Sequence, residues 1–294
     1  MHVLITDSGV GGLSVCAYAE QFLRSNGIGE PVRLTYVNAS PENDFGYNSM
    51  GSREEKLANF DRFLHIVADR YRPDMIYVAC NTLSVLLADT EFCKTERLPV
   101  RGIVETGVNR LLLDLNRLPR SIVAVFGTVT TTDEHTYPDL LEQHGIDGSR
   151  IVAQACPSLA DTISEDRHGL VAQEKIRKYV REAMMRSTVK TADHLTYLAC
   201  THYGYRKEFF ATAFEEQGIY TQILNPNEFV VDDLFGSLGR DPTDPNTKSD
   251  IDVEFVTRYR IPETALETIA FFLDDVSPKT VRAFTSYTYS PGLF

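Results

Sequence analysis

Two cysteines of this chain stand in nearly the same local sequence. Residues 77–82 read YVACNT and residues 197–202 read YLACTH, so each thiol follows a short apolar run and precedes polar side chains. A single cysteine most often serves as a small buried apolar residue, whereas a repeated setting predicts a pair that works together. Two thiols on opposite sides of one carbon can remove a proton from one face and return a proton to the other, which inverts the configuration. The ordinary thiol pKa of about 8.5 can be tuned toward either protonation state.

Polar residues also cluster at the ends of other apolar runs. The clusters are Asp7-Ser8-Gly9, Asn81-Thr82 beside Cys80, Thr201-His202 beside Cys200, and the run Thr128–Thr132. Ligands of open α/β sheets bind beyond the carboxyl ends of the strands, where helix N-termini offer N–H donors. We therefore expect these ends to hold a carboxylate and stabilise a carbanion, with His202 assisting a thiol in proton exchange. The same residue types cap helices, so a structural role stays open for Asp7, Ser8, Thr82, Thr201 and His202.

The elements that must position these residues alternate between strand and helix patterns. His2–Thr6, Val32–Val37 and Met75–Ala79 are short apolar strand patterns, and helical periodicity covers residues 13–23 and 52–71. The alternation restarts near residue 97, and His194–Ala199 is the strand that leads to Cys200. An α/β chain with two lobes of parallel strands is therefore predicted. The first domain would contain residues 1–97 and 211–294, and the second residues 98–210.

Four further segments carry predictions of their own. The segment LPVRGIVETG (98–107) predicts a strand followed by a turn, and GTVTTT (127–132) predicts a Thr-rich turn. The segment YTQILNP (220–226) predicts a strand that returns to the first lobe. Residues 236–250 are turn formers and predict an exposed loop, whereas residues 276–294 show no periodicity.

Composition excludes several classes of protein. With 294 residues, of which 43% are apolar, the chain can bury a sizeable core. The net charge of −12 and the pI near 5.1 argue against a nucleic acid or an anionic membrane as partner, because both require a basic face. Five scattered cysteines indicate no disulfide framework. The first residues do not look like a targeting signal, and no apolar run approaches 18 residues. We expect a cytoplasmic protein with reduced thiols.

The glycine-rich segment DSGVGGLS (7–14) does not predict a nucleotide loop. It lacks the Gly-Lys-Ser/Thr ending of a phosphate-binding loop, and it has no Gly-x-Gly-x-x-Gly pattern. Cys200 and His202 are too few ligands for a zinc site. The sequence therefore favours neither a bound nucleotide nor a metal.

Five motifs taken together resemble the cofactor-independent glutamate racemases of the aspartate/glutamate racemase superfamily. They are DSGVGGLSV (7–15), ACNT (79–82), GIVETG (102–107), ACP (155–157) and ACTHY (199–203), and the similarity spans most of residues 1–275. The resemblance implies two flavodoxin-like parallel-sheet α/β domains that face each other across the active site. It implies interconversion of L- and D-glutamate without a cofactor, supplying D-glutamate for peptidoglycan. It also implies a cytoplasmic enzyme that forms a homodimer.

The same resemblance implies roles for individual residues. Cys80 would serve the D-enantiomer with help from Asp7, and Cys200 the L-enantiomer with help from His202. The Gly46 amide would meet the side-chain carboxylate of the substrate. The implied substrate-binding positions are Asp7, Ser8, Phe45, Gly46, Asn81, Thr82, Thr131, Thr201 and His202.

Three positions depart from the family pattern. The family usually has tyrosine at Phe45 and proline at Gly204, and its frequent glutamate falls at Ser164, with Glu165 one place later. The Phe45 segment and the long 225–250 loop leave open an aspartate racemase, or another amino-acid racemase of the superfamily. A non-catalytic carboxylate-binding protein is the third alternative, although a binder would need neither cysteine.

Overall fold

The computed structural model describes residues 1–26, 28–42, 46–187, 193–236 and 250–294. Within them the strands are β1 (His2–Asp7), β2 (Val32–Asn38), β3 (Met75–Val78), β4 (Val100–Gly102), β5 (Ile122–Gly127), β6 (Ile151–Ala155), β7 (His194–Ala199), β8 (Thr221–Leu224), β9 (Ile251–Thr257) and β10 (Thr288–Tyr289). The α-helices are α1 (Leu13–Asn26), α2 (Arg53–Tyr71), α3 (Asn81–Ser84), α4 (Glu91–Thr95), α5 (Ile103–Arg117), α6 (Val129–Asp133), α7 (Thr136–Gln143), α8 (Leu159–Glu165), α9 (Leu170–Arg186), α10 (Lys207–Glu215), α11 (Val230–Phe235), α12 (Glu263–Leu273) and α13 (Pro278–Thr285).

These strands form two separate parallel sheets. The first has the order β10-β9-β2-β1-β3-β4, and the second has the order β6-β5-β7-β8. Parallel neighbours need a crossover connection, which the intervening helices supply. The predicted α/β class with two parallel sheets is therefore confirmed.

The chain divides into two compact units. The first contains Met1–Ile103 and Asn227–Phe294, and the second contains Val104–Pro226. In the first unit, Val3, Leu4 and Ile5 of β1 have no exposed surface. Burial of successive residues is typical of a strand covered on both faces, which explains the continuous apolar runs in the sequence.

The unit boundaries differ from the predicted domain boundaries. Residues 211–226 lie in the second unit rather than the first, because β8 pairs with β7 from His194↔Thr221 to Tyr197↔Leu224. The first unit extends to Ile103 because β4 pairs with β3 of the first sheet. The strand pattern at residue 221 was correct, but its assignment to the first lobe was wrong.

Two predicted turns are helices. α5 begins at Ile103 directly after β4, and α6 begins at Val129 with Thr128 as its N-cap. A side chain at Gly107 would overlap the Tyr197 hydroxyl, so the second glycine of GIVETG permits close packing of α5 rather than a turn.

The C-terminal residues also contain structure that was not predicted. The tail forms α13 and β10, and β10 pairs with β9 at the edge of the first sheet. Most of the predicted loop at 236–250, namely residues 237–249, lies outside the described residues.

Candidate active site

The first group of site residues lies at the carboxyl ends of β1 and β3. These strands are neighbours in register from Val3↔Met75 to Thr6↔Val78, so the residues that follow them meet at one sheet edge. The Ser8 Oγ atom lies 3.0 Å from the Cys80 Sγ atom. Cys80 is the N-cap residue of α3 and is 4% exposed. Local strand and helix boundaries thus bring two distant motifs, DSGVGGLSV and ACNT, into contact.

Burial and charge hold Cys80 in its thiol form. Burial is the main cause that raises the pKa of Cys80 to about 12, and the nearby charge of Asp7 is the second cause. Hydrogen bonds from the Ser8 hydroxyl and from the backbone amides of Ser8 and Leu83 act in the opposite direction. At neutral pH the resting group is therefore a thiol, and only the hydrogen bonds from Ser8 and Leu83 favour its deprotonated form.

Asp7 is enclosed by the glycine-rich turn that follows it. The residue is 1% exposed, and a Cβ atom at Gly12 would lie 2.8 Å from its Cβ and 2.9 Å from its Oδ2. Gly12 therefore lets the backbone pass close to the carboxylate. This contact gives a reason for glycine at this point in DSGVGG other than phosphate binding.

The remaining first-unit candidates lie at the same edge. Asn81 and Thr82 begin α3 and are each 2% exposed. Gly46 precedes a short 3₁₀ turn, Tyr47–Ser49, in extended backbone conformation. A Cβ atom at Gly46 would make only an ordinary 3.5 Å contact with the Ser40 Oγ atom. Phe45 lies outside the described residues.

The second group surrounds Cys200 at the end of β7. Cys200 is 6% exposed, and its Sγ atom lies 3.9 Å from the His202 Nδ1 atom. Burial lowers the pKa of His202 to about 4, against the opposing effect of the Asp161 carboxylate. The imidazole is therefore neutral at neutral pH, and its Nδ1 atom is a hydrogen-bond partner for the thiol. Thr201, between them, is 3% exposed.

Tyr203 connects the turn after Cys200 to the ends of the neighbouring strands by hydrogen bonds. Its buried hydroxyl lies 3.3 Å from the carbonyl oxygens of Gly127 and Cys156, as donor. Gly127 ends β5, and Thr128, the N-cap residue of α6, follows it. The Thr131 N–H donates to Thr128 Oγ1 at 3.3 Å, and the hydroxyl oxygens of Thr128 and Thr131 lie 3.0 Å apart. The motifs GTVTTT, ACP and ACTHY therefore meet at one edge of the second sheet, where Thr131 is 2% exposed.

Gly204, where the family usually has proline, has a local packing reason. A Cβ atom at this position would lie 2.5 Å from the Nδ2 atom of Asn225, which follows β8 and is 3% exposed. The departure from the family pattern makes room for this asparagine.

Two residues at these edges were not predicted from the sequence. Tyr47 is 1% exposed, and burial and the Cys80 charge both raise its pKa. Asp161 on α8 is the acid whose charge acts on His202. The sequence signal for Asp161 is its place shortly after ACP, three residues before Ser164 and four before Glu165. Ser164 instead bonds to the Ala160 carbonyl oxygen of its own helix, at 3.3 Å.

No cluster of three or more His, Cys, Asp or Glu side chains that could hold a metal is found within the described ranges. In the same part of the chain, the helices are too short or too polar to span a bilayer.

Known proteins resemble this chain over most of its length. No model of a protein family matches it. The glutamate racemase of Aquifex pyrophilus is 30% identical over 211 residues, which cover 71% of this chain and 73% of the relative. The chain belongs to the glutamate racemase family. A further relative in this isomerase family, the glutamate racemase of a Nitratiruptor species, is 27% identical over 244 residues, covering 81% of this chain and 85% of the relative.

Solved structures of glutamate racemases share the fold. Isoform RacE1 from Bacillus anthracis superposes with a TM-score of 0.70 at 18% identity, covering 92% of this chain and 93% of that one. The enzyme of Francisella tularensis subsp. tularensis SCHU S4, solved in complex with D-glutamate, gives a TM-score of 0.68 at 20% identity and covers the same shares of the two chains. These similarities support the family fold independently of the sequence alignment.

Proposed function

We propose that this protein interconverts L- and D-glutamate by a two-base proton transfer in which Cys80 and Cys200 are the bases. The observation that carries the proposal is the position of the two thiols. Each follows the carboxyl end of a central strand and lies among buried polar groups, in a chain that belongs to the glutamate racemase family. A protein that only binds carboxylates would need neither thiol.

The proposed step balances without an oxidant or a cofactor. One thiolate takes the α-proton, and the electron pair of the C–H bond moves into the α-carboxylate. The second thiol then donates its proton to the opposite face, so the two sulfurs exchange protonation states. Because the raised pKa keeps Cys80 as a thiol, conversion of L- to D-glutamate begins with the Cys200 thiolate. His202, whose Nδ1 atom lies 3.9 Å from the Cys200 Sγ atom, would assist this thiol in proton exchange.

The substrate is proposed to bind through the buried polar residues around each thiol. Ser8, Asn81 and Thr82 would serve on the Cys80 side, and Thr131 and Thr201 on the Cys200 side. The D-glutamate bound to the Francisella tularensis relative supports a dicarboxylic amino acid. We propose that the product supplies peptidoglycan synthesis and that the protein works as a homodimer, which sedimentation velocity would test.

Deuterium incorporation tests the two-base step. The protein is incubated in D₂O with L-glutamate, and the α-proton of each enantiomer is followed by NMR after chiral separation. Early in the reaction, the D-glutamate formed should carry deuterium while the remaining L-glutamate keeps its proton, because different groups remove and deliver the proton. Exchange in unreacted L-glutamate before inversion would contradict two separate bases. Exchange of the α-proton of L-aspartate, without exchange of the α-proton of L-glutamate, would favour an aspartate racemase.

Cysteine variants assign the two bases. Cys80→Ser and Cys200→Ser should each lower kcat by about 10²–10⁴-fold, the usual contribution of acid/base groups. The matched control is Cys93→Ser, because this cysteine lies on α4 and belongs to neither group. Turnover that survives either site substitution at the level of the control would exclude that cysteine as a base.

A further inference from the structure

Tyr47 carries a buried hydroxyl that no group in the described part of the chain satisfies. The residue is 1% exposed, and its hydroxyl oxygen is buried without a hydrogen-bond partner. Its ring packs edge-on against Phe60, with ring centroids 6.4 Å apart. Buried polar groups in folded proteins almost always have a hydrogen-bond partner. A buried phenol hydroxyl that lacks a protein partner therefore indicates that a ligand supplies the partner.

The position of Tyr47 in the fold places it near Cys80. Its 3₁₀ turn follows β2, which pairs with β1 up to Asp7↔Asn38, and β1 pairs with the strand that leads to Cys80. Burial raises the pKa of Tyr47, and the Cys80 charge adds to that effect. The two side chains thus share one buried environment within the first unit. Because the hydroxyl stays protonated, it can serve as a donor.

We propose that Tyr47 is a substrate-contacting residue whose hydroxyl donates a hydrogen bond to a carboxylate oxygen of the bound amino acid. The inference rests on the proposed function and deepens it, because it names a determinant of substrate affinity. Of the groups on an acidic amino acid, the carboxylates are the acceptors that a phenol hydroxyl binds most strongly. The resemblance to the family assigned no role to this position.

The substitution Tyr47→Phe tests the proposal because it removes one oxygen and leaves the ring against Phe60. The KM for L- and D-glutamate should rise about 10- to 100-fold while kcat changes by less than about threefold, the pattern of a lost binding contact. The melting temperature without substrate should stay the same or rise, because an unsatisfied buried hydroxyl is removed.

Tyr137→Phe is the matched control. Tyr137 is equally buried, but its hydroxyl lies 3.1 Å from the Tyr197 hydroxyl as a hydrogen-bond partner. This control should lower the melting temperature and leave KM unchanged. An unchanged KM in Tyr47→Phe would overturn the role of Tyr47, whether or not the melting temperature falls.

Calorimetric titration separates failure of this inference from failure of the proposed function. If the wild type racemises neither glutamate enantiomer, the proposed function fails. L- and D-glutamate and L- and D-aspartate are then titrated into both proteins. Weaker binding to Tyr47→Phe than to the wild type would uphold the contact. Equal binding, or no binding to the wild type, would overturn it.

Discussion

The Asp7 carboxylate and the Ser8 hydroxyl act on the Cys80 thiol in opposite directions. Asp7 raises the pKa of Cys80 through its charge, and Ser8 lowers it through hydrogen bonds. Asp7→Asn should therefore lower the pKa of Cys80 and increase the thiolate fraction at pH 9. The measurement is the rate at which iodoacetamide alkylates Cys80, followed by mass spectrometry between pH 7 and 10. Slower alkylation in Asp7→Asn than in the wild type would contradict this electrostatic assignment.

Gly12 controls the position of the Asp7 carboxylate. Because a Cβ atom at Gly12 would approach Asp7 Oδ2 to 2.9 Å, Gly12→Ala must displace either the turn or the carboxylate. We expect a loss of stability of about 1–3 kcal/mol in urea unfolding, as for other overpacked sites, together with reduced kcat. Gly292→Ala is the control, because no atom lies within 4 Å of its added Cβ. Equal stability of the two variants would show that the turn yields without cost.

At the scale of elements, α13 is anchored to α1 through a buried carboxylate. The Glu20 side chain of α1 is fully buried and accepts a hydrogen bond from Ser277 Oγ at 2.8 Å. Ser277 also caps α13 by accepting from the Thr280 N–H at 3.1 Å. Ser277→Ala should therefore cost about 2–3 kcal/mol in urea unfolding, from a lost cap and a poorly satisfied buried acid. The control Thr285→Ala, at the exposed end of the same helix, should cost under about 0.5 kcal/mol. A similar loss of stability in both variants would contradict the stabilising role of the hydrogen bond between Ser277 and Glu20.

An element could be predicted from the sequence where its pattern lies in neighbouring residues, and could not where it depends on residues far along the chain. Apolar runs ending in polar residues predicted β1, β3 and β7, and so the positions of Cys80 and Cys200. The pairing of β8 with β7 was not predictable, because a strand pattern carries no label for its neighbour. For α13 the signal was present but missed: Ser277 followed by Pro278 is a helix start, with proline at the first position. Tyr47 could not be found from sequence, since an unsatisfied hydroxyl is visible only in three dimensions.

At the scale of the whole molecule, the two units differ in how the chain builds them. The second unit is one continuous segment, Val104–Pro226, whereas the first needs residues from both ends of the sequence. A fragment of residues 104–226 should therefore unfold cooperatively in urea, followed by far-ultraviolet circular dichroism. A fragment of residues 1–103 should not, because it lacks β9, which pairs with β2 over six positions. A cooperative transition of the shorter fragment would show that β9 is dispensable for this sheet.

The pairing of β2 with β9 has a consequence for synthesis on the ribosome. Val32 pairs with Ile251, about 220 residues later. At about 5–20 residues per second, the nascent β2 waits roughly 10 to 40 s for its neighbour. An uncovered strand edge is a template for association with other chains. We therefore expect the soluble yield of this protein in cells to depend on how well chaperones shield that edge until translation is complete.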